Sequence, residues 1–336
     1  MKRIIQYIPG ISGAIIVALL GIFFSSLIPQ GYISGGVFAL LIGMAAHPIV
    51  IRFPLMGKGI SFTGKRLLKI AIIGMGASLS IQQVVQVGGI SLVVMFFTLA
   101  TAFGGGYLVG RLFGIPWRQS GLISAGTGIC GGSAIAAIAP VINADAKDIA
   151  YALSATFLFD ILMVVLFPLM GRALHMSDLG FGLWTGTAVN DTSSVVAAGY
   201  AFSEAAGNFA IVVKLTRTLS IVPAVLIFSL IEARAARKEN TTDGARFSFR
   251  AVFPWFVLAF LGVVILQSFG VFSTETSSQI SRVGKFCMVM ALGAIGLKTD
   301  AHRLIRSGLK PLLLGFIVSV AVVVVSYVVQ LSLHQI

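Results

Sequence analysis

Apolar runs of about 20 residues follow one another along this chain, parted by short polar stretches. A run of that length crosses the hydrocarbon of a bilayer as a helix. Only a helix or a closed barrel satisfies its own main-chain hydrogen bonds there. The runs do not alternate residue by residue, so a barrel of short strands does not fit. Hydrophobic residues make up 57% of the chain and charged residues 10%, against about 25% charged in a soluble domain. A soluble enzyme and a disordered chain are both excluded.

The expected fold is an all-α polytopic membrane protein with about eleven transmembrane helices. They fall at residues 8–28, 32–51, 67–86, 89–112, 120–142, 149–171, 180–201, 208–231, 251–270, 281–298 and 310–333. The first run follows Met1, Lys2 and Arg3 without a small-residue cleavage site and is expected to be retained. Residues 1–231 carry spans one to eight. Residues 232–250, with Arg234, Arg237, Lys238 and Asp243, read as a polar cytoplasmic linker. Residues 251–336 carry spans nine to eleven.

The net charge of +13 follows the positive-inside rule. With the N-terminus in the cytoplasm, 19 of 24 lysines and arginines, Arg172 included, fall on that side. Lys147, Arg282 and Lys285 fall on the far side, and Lys214 and Arg217 lie inside a span. The C-terminus is then periplasmic or extracellular. This distribution accounts for the basic charge without nucleic acid. Cys130 and Cys287 lie in apolar runs and read as packed thiols. The four histidines are scattered, so no metal or cofactor is expected.

Two spans carry small and polar residues halfway along. One reads Gly-Thr-Gly-Ile-Cys-Gly-Gly-Ser-Ala-Ile-Ala-Ala (126–137). The other reads Gly-Thr-Ala-Val-Asn-Asp-Thr-Ser-Ser-Val-Val-Ala-Ala-Gly (186–199). Set 60 residues apart, Gly126 meets Gly186, Thr127 meets Thr187, Ser133 meets Ser193 and Thr156 meets Thr216. Glycine weakens a helix interior by about 1 kcal/mol relative to alanine. Unwound backbone at membrane depth survives only inside protein or beside a wet cavity. Two such interruptions in corresponding segments point to a transporter site. Helix packing alone explains Gly131 and Gly132, but not the ionisable Asp191.

Four ionisable residues lie at membrane depth: Asp160, Asp191, Lys214 and Arg217. Lys214 and Arg217 share one face of span eight. Two readings are open. Two acids and two bases form an internal salt-bridge network, or the cations bind an anion with half-helix N-termini and hydroxyls. Asp160 and Asp191 are candidates for carrying a coupling H+ or Na+. His47, before Pro48, reads as a helix-end residue. A nucleophile at Cys130 or Ser133 lacks a histidine base in these spans, so no enzyme is expected.

The two motifs, with Lys-Leu-Thr-Arg at 214–217, together resemble the YeiH family of bacterial inner-membrane proteins, classed as sulfate exporters. The resemblance covers nearly the whole chain. It implies the broken, crossed helices and inverted repeats of the sodium/proton-antiporter and bile-acid-symporter superfamily. Asn190 stands where the family usually has histidine, so a proton-coupling role for that histidine does not carry over, while Asp191 and Thr192 match. Gly128 and Gly132 stand where serine and alanine are more usual, which implies a looser break. Eleven spans run the two motifs in the same direction, whereas an inverted repeat needs opposite directions. Either one motif is a re-entrant hairpin or the repeat lies elsewhere, with 67–80 (Gly74, Gly76) and 286–298 (Gly293, Gly296) as candidates.

The expected function is therefore secondary transport of a small anion such as sulfate, by alternating access at a midplane site. Its residues are Thr127, Gly128, Cys130, Gly131, Gly132, Ser133, Thr187, Asn190, Asp191, Thr192, Ser193, Lys214 and Arg217. No nucleotide-binding P-loop is present. The rival is a cation- or proton-coupled antiporter or symporter using Asp160 and Asp191. The lipid bilayer is the expected partner, and a homo-oligomer is open.

Overall fold

Apolarity on all sides makes helices here, and polar punctuation ends them. The structure is a computed structural model that describes residues 6–27, 35–238, 255–300 and 308–336. Helix α1 (Ile8–Ser26) and α2 (Gly35–Ile51) lead the chain. Next come α3 (Gly57–Phe62), a π turn (Thr63–Leu67) and α4 (Leu68–Met75), one interrupted helix closed by a 3-10 turn. Helix α5 (Ile81–Leu112) starts at a capping box formed by Ser80 and Gln83.

The middle of the chain is α6 (Trp117–Ala125), α7 (Gly132–Ile138), α8 (Ala146–Ala173), α9 (Asp178–Ala188), α10 (Thr192–Phe202), α11 (Glu204–Thr218) and α12 (Ile221–Lys238). Helices α13 (Trp255–Ser268), α14 (Thr274–Lys298) and α15 (Leu309–Ser332) follow. Six helical stretches are long and apolar enough to cross a bilayer: Ile8–Ser26, Ile81–Leu112, Lys147–Ala173, Glu204–Arg234, Thr274–Lys298 and Leu309–Ser332. Gly35–Val50 and Trp255–Ser268 are shorter apolar helices. The outside of the bundle suits lipid, with Ile16, Phe23, Phe96, Leu226 and Val324 all more than half exposed.

Cross-links between distant residues fix two faces. On the first, Arg118 pairs with Glu232 at 2.9 Å, Lys310 donates to the Phe113 carbonyl at 3.3 Å and His47 Nδ1 donates to the Leu297 carbonyl at 2.8 Å. Arg52, just after α2, Lys58 at the start of α3 and Arg111 at the end of α5 lie at helix ends that belong to this basic face. On the opposite face, the Ile81 N–H donates to Ser268 at 2.8 Å and Lys285 pairs with Glu204 at 2.5 Å.

Two of the eleven expected spans are not spans. Segment 120–142 enters from the basic face as α6, breaks, and returns as α7 to that face. Its two ends, Arg118 and Asn143, both reach Glu232, at 2.9 and 3.4 Å. Segment 180–201 enters from the opposite face as α9 and returns there as α10. Its ends meet where Phe181 stacks on Phe202 at 4.0 Å and Ser203 donates to Asp178 at 2.5 Å. We call these hairpin 1 and hairpin 2. Each is long enough to pass for a span because two half-length helices in sequence match one full crossing in residue count.

Several other expectations change with them. Lys147 starts α8 on the basic face, and Arg172 ends it on the opposite face, where it donates to the Ala201 and Phe202 carbonyls. Their expected sides are thus exchanged. The two reversals cancel, so the later segments keep their directions. The boundary expected near residue 87 lies at Leu79–Ser80 instead, since the capping box places the helix start at Ile81. Span eight begins earlier, at Glu204, and is interrupted at Leu219 and Ser220. Helix α12 continues to Lys238, so the first residues of the expected linker are helical. Residues 239–250 lie outside the described residues.

The hairpins are buried by their neighbours. Leu122, Ile135 and Ile138 of hairpin 1 pack with Val225 and Phe228 of α12 and Leu314 and Val318 of α15. Phe181 and Trp184 of hairpin 2 pack with Phe159 and Phe167 of α8 and Val323 of α15. Elsewhere α2 and α14 touch at Gly43 and Gly296, where an added Cβ would meet main chain; this is a small-residue seam.

Candidate functional site

The hairpin tips meet inside the bundle. Hairpin 1 loosens through a π turn at Gly126–Cys130 and reverses at Gly131, whose φ of +62° favours glycine. A Cβ at Gly131 would lie 3.2 Å from the Asp191 Cβ of hairpin 2, so glycine is required by both backbone and space. Hairpin 2 reverses at Val189, Asn190 and Asp191, all extended or between helices. There Asp191 caps α10 by accepting from the Ser193 N–H at 2.8 Å and from the Ser193 hydroxyl.

A broken helix leaves main-chain groups without partners, and an unpaired buried group costs about 1–3 kcal/mol. At these tips side chains of the long helices supply the partners. Lys214 Nζ donates to the Ile129 carbonyl at 2.8 Å and to the Val189 carbonyl at 2.9 Å. Arg217 Nε donates to the Gly128 carbonyl at 2.6 Å, and one terminal nitrogen donates to the Thr127 carbonyl at 2.8 Å. Asp160 accepts from the Asn190 N–H at 2.9 Å and the Asp191 N–H at 3.1 Å. The charges match the polarity of each helix end, cations on carbonyls and a carboxylate on N–H groups.

Lys214 and Arg217 are fully buried, and Asp160 is 1% exposed. Neither cation forms a salt bridge; the ion pairs among the described residues lie elsewhere, at His47–Asp300, Arg118–Glu232 and Lys285–Glu204. The internal salt-bridge network is therefore not formed. Three buried polar atoms around the tips have no hydrogen-bond partner: Arg217 Nη1, Thr127 Oγ1 and Asn190 Oδ1. Buried polar groups are normally satisfied, so these three atoms mark the tips as the candidate site.

The structure brings together Thr127, Gly128, Gly131, Asn190, Asp191, Ser193, Lys214, Arg217 and Asp160. Cys130 is buried beside them in the π turn. Gly132 and Thr192 are half-buried at the first turns of α7 and α10. Ser133 is exposed on α7. Thr187 points elsewhere: it donates to the Leu183 carbonyl at 2.6 Å and meets Ser326 of α15 at 2.7 Å. His47 holds the end of α2 to α14, as a helix-end residue does.

Sequence reading missed the polar stripe on α15. Ser319, Ser326 and Gln330 are all fully buried there, and Asn190 donates to Ser319 at 3.4 Å. Trp184 Nε1 donates to the Val323 carbonyl at 2.9 Å on the same face. The signal was present, since these positions lie on one side of an otherwise apolar helix. It also missed Glu232, which joins both ends of hairpin 1.

The sequence is similar to those of known proteins. The profile of the family described as conserved hypothetical protein 698 matches residues 9–315. A UPF0324 membrane protein of Clostridium tetani is 56% identical over 100% of both chains. UPF0324 membrane proteins of Streptococcus pneumoniae and Streptococcus agalactiae are each 38% identical, over 96% and 97% of both chains.

Proposed function

The chain belongs to the conserved hypothetical protein 698 family of UPF0324 membrane proteins, the YeiH-like family its motifs resemble, and from that premise we propose that it is a secondary transporter of a small anion. The observation that carries this reading is Arg217. It is wholly buried at membrane depth, unpaired with any carboxylate, and keeps Nη1 without a partner beside the unpartnered Thr127 hydroxyl. A charge held there at several kcal/mol is a functional group by default. Lys214 and Arg217 together match a dianion such as sulfate, with the Thr127 hydroxyl as an orienting donor.

Alternating access fits the two hairpins. They enter from opposite faces and meet at the tips, so movement of either one opens the site to its own face. The offset of 60 residues then reads as an inverted repeat of hairpin plus long helix. It carries Gly131 onto Asp191, Arg118 onto Asp178, Asn143 onto Ser203 and Arg172 onto Glu232. With the basic face cytoplasmic, as the positive-inside rule directs, hairpin 1 is the inner gate and hairpin 2 the outer.

The test is radiolabelled sulfate counterflow in proteoliposomes. Wild type is expected to show counterflow, and Arg217→Ala to lose at least about tenfold, the equivalent of about 1.4 kcal/mol. Absence of counterflow in folded wild-type protein sinks sulfate as substrate. A second reading, coupling to H+ or Na+ through Asp160 and Asp191, draws on Asp191, which is half-buried at the meeting of the tips. It requires Asp191→Asn to abolish ion-driven flux while Arg217→Ala spares it.

A further inference from the structure

One side chain joins the two tips. The Lys214 ammonium holds the Ile129 carbonyl of hairpin 1 and the Val189 carbonyl of hairpin 2 together, at 2.8 and 2.9 Å. Arg217 adds two bonds to hairpin 1, and Asp160 holds the tip of hairpin 2 by two main-chain N–H groups. An anion seated on both cations competes with these contacts, drawing on the N–H groups that make them as well as on the partnerless Arg217 Nη1. A guanidinium N–H that donates to the Gly128 carbonyl cannot also donate to a sulfate oxygen. While the main chain holds the cations, the tips are tied to each other and neither hairpin can leave the other.

From this geometry we propose that the protein is an obligate anion exchanger. The inference rests on the transport reading above and adds the mode of transport. A bound anion takes over the N–H donors of Lys214 and Arg217, the carbonyls of 127–129 and 189 are released, and the tips part. Once the anion leaves, the carbonyls recapture the ammonium and guanidinium, and the tie between the hairpins re-forms. The loaded carrier changes face and the unloaded carrier does not. Flux therefore proceeds by exchange of one anion for another, and net movement is limited by the rare opening of the tied tips.

The experiment uses the full chain in proteoliposomes, labelled sulfate outside, and K+ with valinomycin to clamp the voltage, so that charge movement does not limit net flux. Uptake into sulfate-loaded vesicles is compared with uptake into vesicles loaded with zwitterionic buffer alone. Exchange at least tenfold faster than net uptake is the expected result. Equal rates overturn the proposal. A second measurement is Asp160→Asn, which loosens the tip of hairpin 2 without touching Lys214 or Arg217. The ratio of exchange to net uptake should fall several-fold in that variant. An unchanged ratio in a monodisperse, folded sample means that the tied tips are not what blocks the unloaded carrier, and the proposal falls. Wild type with neither exchange nor net uptake defeats the transport reading for sulfate itself, and this inference with it. Exchange without a deficit in net uptake defeats only the inference.

Discussion

Hairpins 1 and 2 share a shape and differ in how they are held. Hairpin 1 turns on a glycine with positive φ, has no side-chain cap at α6 or α7, and offers carbonyls to cations. Hairpin 2 turns on ordinary extended residues, is capped at both helix starts by Ser177 and Asp191, and offers N–H groups to a carboxylate. Each is braced by the long helix that follows the other. Glu232 of α12 holds the base of hairpin 1, and Lys214 and Arg217 of α11 hold its tip. Asp160 and Arg172, both of α8, hold the tip and base of hairpin 2. The lesson is that broken helices at membrane depth come with partners of opposite polarity, supplied from a distance in sequence.

The largest effect should come from the shared tie. Lys214→Met leaves the Ile129 and Val189 carbonyls without their donor. It should destabilise the protein by about 1–3 kcal/mol for each of the two carbonyls left unpaired. The readout is a lowered midpoint of thermal unfolding, with faster amide exchange at both tips. Loss of protection at one tip alone would mean that Lys214 does not couple the hairpins.

Next comes the contrast in turn chemistry. Gly131→Ala forces a side chain into a positive φ and toward Asp191, and should cost about 1–3 kcal/mol. Asn190→Ala at the tip of hairpin 2 removes one 3.4 Å contact to Ser319 and should cost less. Equal losses in a thermal melt would erase the distinction between the two tips.

The braces at the bases should give smaller and separable effects. Glu232→Gln weakens a charge-assisted bond and should cost about 1–2 kcal/mol, with exchange quickened in 132–143 and unchanged in 192–202. Arg172→Gln should do the converse. Hydrogen exchange resolved by segment tests both, and a change spread over both hairpins would break the reciprocal pattern. The smallest expected loss is Ser203→Ala. It removes the α11 N-cap and the bond to Asp178, for about 1 kcal/mol, seen as fraying at the base of hairpin 2 alone.

Much of this was readable beforehand, for stated reasons. The two interruptions stand out because glycine and hydroxyl residues are out of place in mid-membrane. Lys214 and Arg217 stand out because their burial is expensive. The likeness at an offset of 60 residues is plain in Thr127 and Thr187 or Ser133 and Ser193. The direction of the chain after each break was not readable. Residues 180–201 have the length and apolarity of a span, and a crossing helix and two half-helices look alike on that measure. The positive-inside tally did not expose the error, because turning back twice exchanges Lys147 with Arg172 and leaves the balance of charge as it was.

Local chemistry thus determined that this chain is a bundle of membrane helices, where those helices weaken, and which buried charges lie near the breaks. Those are properties of a residue and its close neighbours, written in hydropathy, glycine and caps. Only the tertiary structure decided that the breaks are reversals, that they come from opposite faces, and that Lys214 and Arg217 hold main-chain carbonyls rather than Asp160 and Asp191. A free carbonyl at 129 or N–H at 190 takes whatever partner packing brings within 3 Å, and that partner comes from 30 to 90 residues away.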